Sequence, residues 1–247
     1  MKTNDILLIA LIAAGLLALP RIAPAQINKG IEGSKHDFSA EAWNLRKGTC
    51  STCHQAHNTD DAQIVPLWAH KTSAAAFVPY TSPTLNATVG APNGASLACL
   101  SCHDGTLAIN EGISGFLGGG TVSSGPIMAD AVIGPNLHTT HPISFTYDAA
   151  LAVADGGLED PTTYKIGDAK AALTYATAPV PASWSGSSLT GKTISEALLF
   201  EGKMQCASCH DVHKLDGSAP ESAIFLRISG ADAGGKGSML CRTCHIK

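Results

Sequence analysis

Cys206-Ala207-Ser208-Cys209-His210-Asp211-Val212-His213 carries the pattern that decides how this chain is read, because its first five residues, CxxCH, occur four times. The other copies run Cys50 to His54, Cys99 to His103 and Cys241 to His245, and together the four use all eight cysteines. Two thiols one turn apart add across the vinyl groups of one haem, and the histidine that follows faces the iron as proximal ligand. Four covalent haem c groups are therefore expected. Their thioether bonds come from Cys50 and Cys53, Cys99 and Cys102, Cys206 and Cys209, Cys241 and Cys244, and their proximal ligands are His54, His103, His210 and His245.

Disulfides, zinc and coincidence are the competing readings. With ten histidines in 247 residues, one directly after every pair by chance has a probability on the order of a few in a million. Zinc requires paired CxxC or histidine spacing and has no use for a fixed histidine adjoining each pair.

Residues 1–25 read as a secretory signal peptide. Lys2 gives the charged start, Ile6 to Leu19 is an uncharged apolar run, and Ala23-Pro24-Ala25 is an A-x-A cleavage site. The run is shorter than the roughly 20 residues that span a bilayer, and Pro20 and Arg21 end it. No stable membrane span is expected after cleavage, an uncleaved anchor being the alternative. A lipid anchor would need a cysteine just after the signal, and every cysteine already belongs to a haem motif. The product is expected to be exported, either to the cell surface and medium or to the periplasm, where thiols held for haem attachment suit an oxidising compartment.

Residues 26–247 then form a single tetrahaem domain. Aromatic residues are only 5% of the chain, thin material for a large core, so the porphyrins are expected to supply the core and the apoprotein to be largely unfolded. A formal charge of −4, made more negative by haem propionates, disfavours nucleic acid as a partner. The chain has no Lys/Arg cluster suited to an anionic membrane surface.

Taken in order, Gln26 to Lys35 reads as an extended arm. Ser39 is expected to cap a short helix over Glu41 to Arg46, with Gly48 releasing the chain into the first motif. Trp68 is a candidate wall for a haem face. Prolines and glycines exclude a long helix between Thr72 and Ser96, and Asp104-Gly105-Thr106 is a turn. The stretch 107–205 is a loop-rich insert without cysteine. Within it, His141 to Tyr147 alternates like a short strand, Asp168 to Thr177 suggests a helix, and Thr193 with Glu196 forms a capping box. The last two motifs start 35 positions apart and are expected to make a compact C-terminal pair.

Six histidines lie outside the motifs: His36, His57, His70, His138, His141 and His213. That is enough for four distal ligands. His57 and His213 complete the pattern CxxCHxxH in the first and third motifs. Residues three apart on a helical turn point to the same side, so neither can reach the opposite face of the iron held by its own motif. Each must serve a neighbouring haem or none, and if they serve haems the porphyrins are closely packed. Bis-histidine ligation saturates the iron and gives low potentials, and Met128, Met204 and Met239 read as packing residues. No HExxH, P-loop, GxSxG or dinucleotide GxGxxG pattern is present.

Lys35-His36-Asp37, the run from Cys50 to Asn58, Pro66-Leu67-Trp68, the run from Ser96 to Thr106, His141-Pro142, and the third and fourth motifs resemble the OmcE-like family of tetrahaem cytochromes over most of residues 26–247. The flanking residues are shared with other surface cytochromes, including a six-haem filament type. The resemblance implies a chain of mostly irregular coil with short α-helices and minimal β structure, wrapped around a continuous haem row. It also implies bis-histidine haems and assembly into extracellular filaments through head-to-tail contact with other copies of the chain. His36 matches a distal ligand donated to the adjoining subunit and His141 a further distal ligand; His138 and His70 remain additional candidates.

Three functions follow as expectations. The first is a filament subunit for long-range electron transport, without catalytic residues of its own, working between a redox donor and an extracellular acceptor. The second is a monomeric periplasmic electron shuttle in which His36 binds a haem of its own chain. The third is a multihaem reductase with one open iron.

Overall fold

The computed structural model describes residues 31–57, 59, 65–112, 127, 129–167, 189–213, 225–228 and 239–246. The residues read as a signal peptide, the helix expected over Asp168 to Thr177 and Met128 lie outside the described residues. Most of the described chain is coil and turn. Its helices are short: α1 (Gly94–His103), α2 (Ala149–Asp155), α3 (Ile194–Leu198), α4 (Cys206–Cys209) and α5 (Met239–Cys244), with 3-10 turns at Ala129–Ala131 and Leu137–Thr139. None of the described helices is long and apolar enough to cross a membrane.

The N-terminal segment differs from expectation. No helix forms over Glu41 to Arg46; successive turns replace it, with Asn44 N donating to Glu41 O at 3.1 Å and Lys47 N to Asn44 O at 3.1 Å. The reason is Asn44, fully buried, whose Nδ2 donates to Phe38 O at 2.9 Å and Gly48 O at 3.2 Å. A side chain that satisfies carbonyls on both sides of itself closes a loop in place of a helix. Lys47, at φ 52°, takes the left-handed position.

The strand expected over His141 to Tyr147 shrinks to β1 (Phe145–Thr146), paired antiparallel with β2 (Lys203–Met204) in the register Phe145 to Met204 and Thr146 to Lys203. Ser144, at φ 62°, bends the chain just before β1. β2 leaves a two-residue turn in which Phe200 and Lys203 exchange both backbone hydrogen bonds at 3.0 Å. Glu201 and Gly202 both have positive φ, as a tight turn with the right-handed strand twist requires.

The Thr193–Glu196 capping box is present as read. Thr193 Oγ1 accepts from Glu196 N at 3.2 Å, and Glu196 Oε2 accepts from Thr193 N at 2.9 Å. The Thr193 N–H and then its hydroxyl, which donates to Glu196 Oε2 at 3.1 Å, hold the Glu196 carboxyl below its usual range. Thr193→Ala is expected to cost about 1 kcal/mol, the usual worth of such a cap, read as a lowered midpoint in denaturant titration.

The insert also supplies what composition did not promise, a core of protein side chains. Phe145, Tyr147, Ala152, Tyr164, Ile166, Ile194, Leu198 and Met204 pack with Ile228, Leu240 and Cys244 of the C-terminal region. Met204 is buried and Met239 packs against the cluster. The Tyr147 hydroxyl donates to Glu159 O at 2.6 Å, so the buried phenol keeps a partner.

Candidate haem-binding site

Two of the four motifs are joined end to end. α1 carries Cys99 to His103 and packs on α4, which carries Cys206 and Cys209 and also packs on α3. The helix starts cap each other: Gln205 Oε1 accepts from Ser96 N at 3.2 Å, and Ser96 Oγ accepts from Cys206 N at 2.9 Å. Gln205 Nε2 donates to Asn93 Oδ1 at 2.9 Å, and Gln205 N donates to Ser208 Oγ at 2.8 Å. Orphan N–H groups of two helices are thereby met by one buried polar cluster. Gly94 is required here, since it has φ 50° and a Cβ would stand 3.3 Å from Gln205 Nε2.

All eight thiols are free. Cys99 and Cys206 hydrogen-bond across the helix junction, which pushes Cys99 well up and draws Cys206 down to about 7. Burial, with Cys50 next, pushes Cys53 up to about 11; burial, with Cys53 next, pushes Cys102 up to about 12. Cys209 is pushed up to about 11 by burial and then by Cys241. Thiols of motifs one and two, two and three, and three and four are thus mutual neighbours.

The histidines come together in pairs. His36 faces His103 with ring centroids 6.0 Å apart, His54 faces His213 at 6.1 Å, and His141 faces His245 at 6.3 Å. Each pair joins the histidine of one CxxCH to a histidine from elsewhere in the chain. His213, just beyond the third motif, stands opposite the first motif's His54.

The protons can be located by chemistry. Nδ1 of His54 lies 2.9 Å from Pro66 O, Nδ1 of His103 lies 2.8 Å from Ala131 O, and Nδ1 of His141 lies 2.8 Å from Pro142 O. A carbonyl oxygen only accepts, so Nδ1 carries the hydrogen and Nε2 keeps the lone pair a metal needs. In His213 the same nitrogen is 3.4 Å from the Asp211 carboxylate, whose hydrogen bond raises the imidazole above its usual value. His36 is pushed down to about 4 by burial and then by His103, and its Nδ1 is buried without a hydrogen-bond partner.

The remaining candidates have other surroundings. His70, 1% exposed, has Nδ1 2.7 Å from Lys71 O and Nε2 2.9 Å from Ala108 O, so both ring nitrogens already face carbonyls. His138 is exposed, stacked on Tyr80 and 3.4 Å from Thr81 Oγ1. His57 and His210 are both exposed. Trp68 stands edge-on to His54 at 6.4 Å, beside the imidazole.

Two imidazoles that each bind one metal through a nitrogen at about 2.0 Å have ring centroids roughly 6 Å apart. The three observed separations fit that requirement, and the buried unpartnered Nδ1 of His36 fits a ring seated by something beyond protein hydrogen bonds. Among the described residues no group of three or more His, Cys, Asp or Glu side chains gathers to hold a metal ion. The arrangement is two-donor, the number a haem leaves for the protein. No protein-family model matches the chain, and no curated protein is similar to it.

Proposed function

We propose that the chain is an electron-transfer protein holding four covalent haems between histidine pairs. The observation that carries this reading is the opposition of His36 to His103, His54 to His213 and His141 to His245 at 6.0 to 6.3 Å, each pair containing the histidine of one CxxCH. The fourth proposed pair is His57 with His210, the reciprocal of His54 with His213 between the two CxxCHxxH segments. When bound, haem supplies one-electron redox chemistry at an iron saturated by two imidazoles. The chain's part is to fix those rings: Pro66, Ala131 and Pro142 hold Nδ1 hydrogens, Asp211 orients His213, and burial excludes water from His36. Mass spectrometry of the exported protein is expected to show four covalent haems, with low-spin spectra unchanged by carbon monoxide. A carbon monoxide adduct of the reduced protein would instead favour the reductase reading.

Assembly into extracellular filaments is proposed on the resemblance together with the position of His36. Where an extended arm was expected, residues 31–37 form turns, with Ser34 N donating to Ile31 O and Asp37 N to Ser34 O, and the His36 ring faces His103 of the same chain and packs at 5.0 Å against Phe225. The same seat can be filled by His36 of an adjoining copy, because exchanging an identical element between protomers preserves every contact. A head-to-tail exchange that does not close yields a filament; without exchange the protein is the monomeric shuttle. His36→Ala is expected to leave four haems attached, to change one low-spin signal and to abolish filaments seen by electron cryo-microscopy of cell-surface material. Normal filaments from the variant would exclude an inter-subunit ligand, and isolated native particles would leave the shuttle.

A further inference from the structure

Three of the four CxxCH histidines are held by one repeated backbone device. At the first motif, Gln55 N donates to Leu67 O and Ala69 N to Cys53 O, both at 2.9 Å. At the third, Asp211 N donates to Phe225 O at 2.7 Å and Arg227 N to Cys209 O at 2.8 Å. At the fourth, Ile246 N donates to Gly157 O at 3.0 Å and Glu159 N to Cys244 O at 2.9 Å. Each is a one-residue antiparallel bridge, His54 with Trp68, His210 with Leu226 and His245 with Leu158. The bonds flank the bridged residues without joining them, and in an antiparallel pair of that kind the two side chains stand closest together on one face. The residue opposite each histidine is large and apolar. Leu158 and Leu226 also pack against the protein core, and Leu67 and Phe225, just before the bridge residue, share a left-handed backbone at φ 58° and 53°.

The second motif is built differently. His103 ends α1, and its carbonyl accepts from Ile133 N at 2.7 Å. The bridging segment lies downstream of motifs one and three but upstream of motif four, so the device is shared by geometry and not by chain order. We propose that it is the positioning element for three iron-facing imidazoles, with Trp68, Leu226 and Leu158 as positioning residues that fix each ring's direction. This deepens the haem reading and rests on it. Removing one of these side chains frees one imidazole to turn, which changes the ligand orientation and the reduction potential of that haem alone.

Leu158→Ala and Leu226→Ala, made in the full exported holoprotein, test this by redox titration and electron paramagnetic resonance. Each is expected to retain four haems by mass, to shift one low-spin signal and one midpoint, and to leave the other three in place. The two variants should move different haems, and Leu158→Met should restore the native signal. Hydrogen exchange should show the Glu159 and Ile246 amides slower than neighbouring loop amides. Four attached haems with no signal moved, or with all four moved, would overturn the positioning role. Native protein without covalent haem would overturn the haem reading itself, whatever the exchange at those amides.

Discussion

Replacing Cys206 and Cys209 together by serine is expected to abolish the folded, exported protein and not to leave a three-haem version. α4 is the junction of the molecule: it packs on α1 and α3, and its first turn shares the Ser96–Gln205 cap with the second motif. Cys206 touches Cys99, Cys209 neighbours Cys241, and His213, just beyond, faces His54. Cofactor binding contributes folding free energy where the site does not exist in the unfolded chain, and a domain has only about 5–15 kcal/mol to lose. On the proposed haem reading, removing the group held at the junction strips support from motifs on both sides. The serine pair at Cys50 and Cys53 makes the comparison, since that motif lies in turns and not in the α1–α4 junction. There a three-haem product is expected. Haem staining and intact mass of exported material read both outcomes, and a stable three-haem product from the α4 variant would show that the junction does not depend on its haem.

The CxxCH motifs stand out because their pattern is local: thiol spacing and the adjoining histidine lie within five residues, and no packing is needed to see them. The CxxCHxxH argument turned His213 away from its own motif, and the ring lies opposite His54. The Thr193–Glu196 box and the turn at Gly105, with φ 72°, were likewise local. What the sequence concealed was long-range. The Gln205 side chain meets Ser96 across more than a hundred residues, and nothing near Gln205 announces that it caps another helix. The three bridges were hidden because backbone hydrogen bonding leaves little trace in residue type; Trp68, Leu226 and Leu158 share only apolar bulk. At Asn44 the reading failed for a physical reason, because a pattern of helix formers was outweighed by one amide bridging two carbonyls. The insert's core was missed by counting aromatics over the whole chain, although Phe145, Tyr147 and Tyr164 concentrate in one part of it.

That core gives the second large effect. Leu198→Ala is expected to destabilise the holoprotein by about 2–5 kcal/mol, the cost of truncating a leucine in a site that cannot collapse. Leu198 is 1% exposed and sits on α3 beside Ile194, in a cluster that runs through β1, β2 and α5. Several partners lie on elements tied down elsewhere, by the Thr193–Glu196 cap and by the Tyr147 hydroxyl on Glu159 O, so the cavity has little freedom to close. For a chain of this size each kcal/mol lowers the melting temperature by roughly 2–4 °C, a loss calorimetry resolves readily. Leu198 belongs to none of the histidine pairs, so the haem spectra at low temperature should stay those of the native protein. A lowered melting temperature with unchanged spectra divides the stabilising work between the porphyrins and a protein core built by the insert. An unchanged melting temperature would mean that the porphyrins alone hold the fold, with the insert merely covering them.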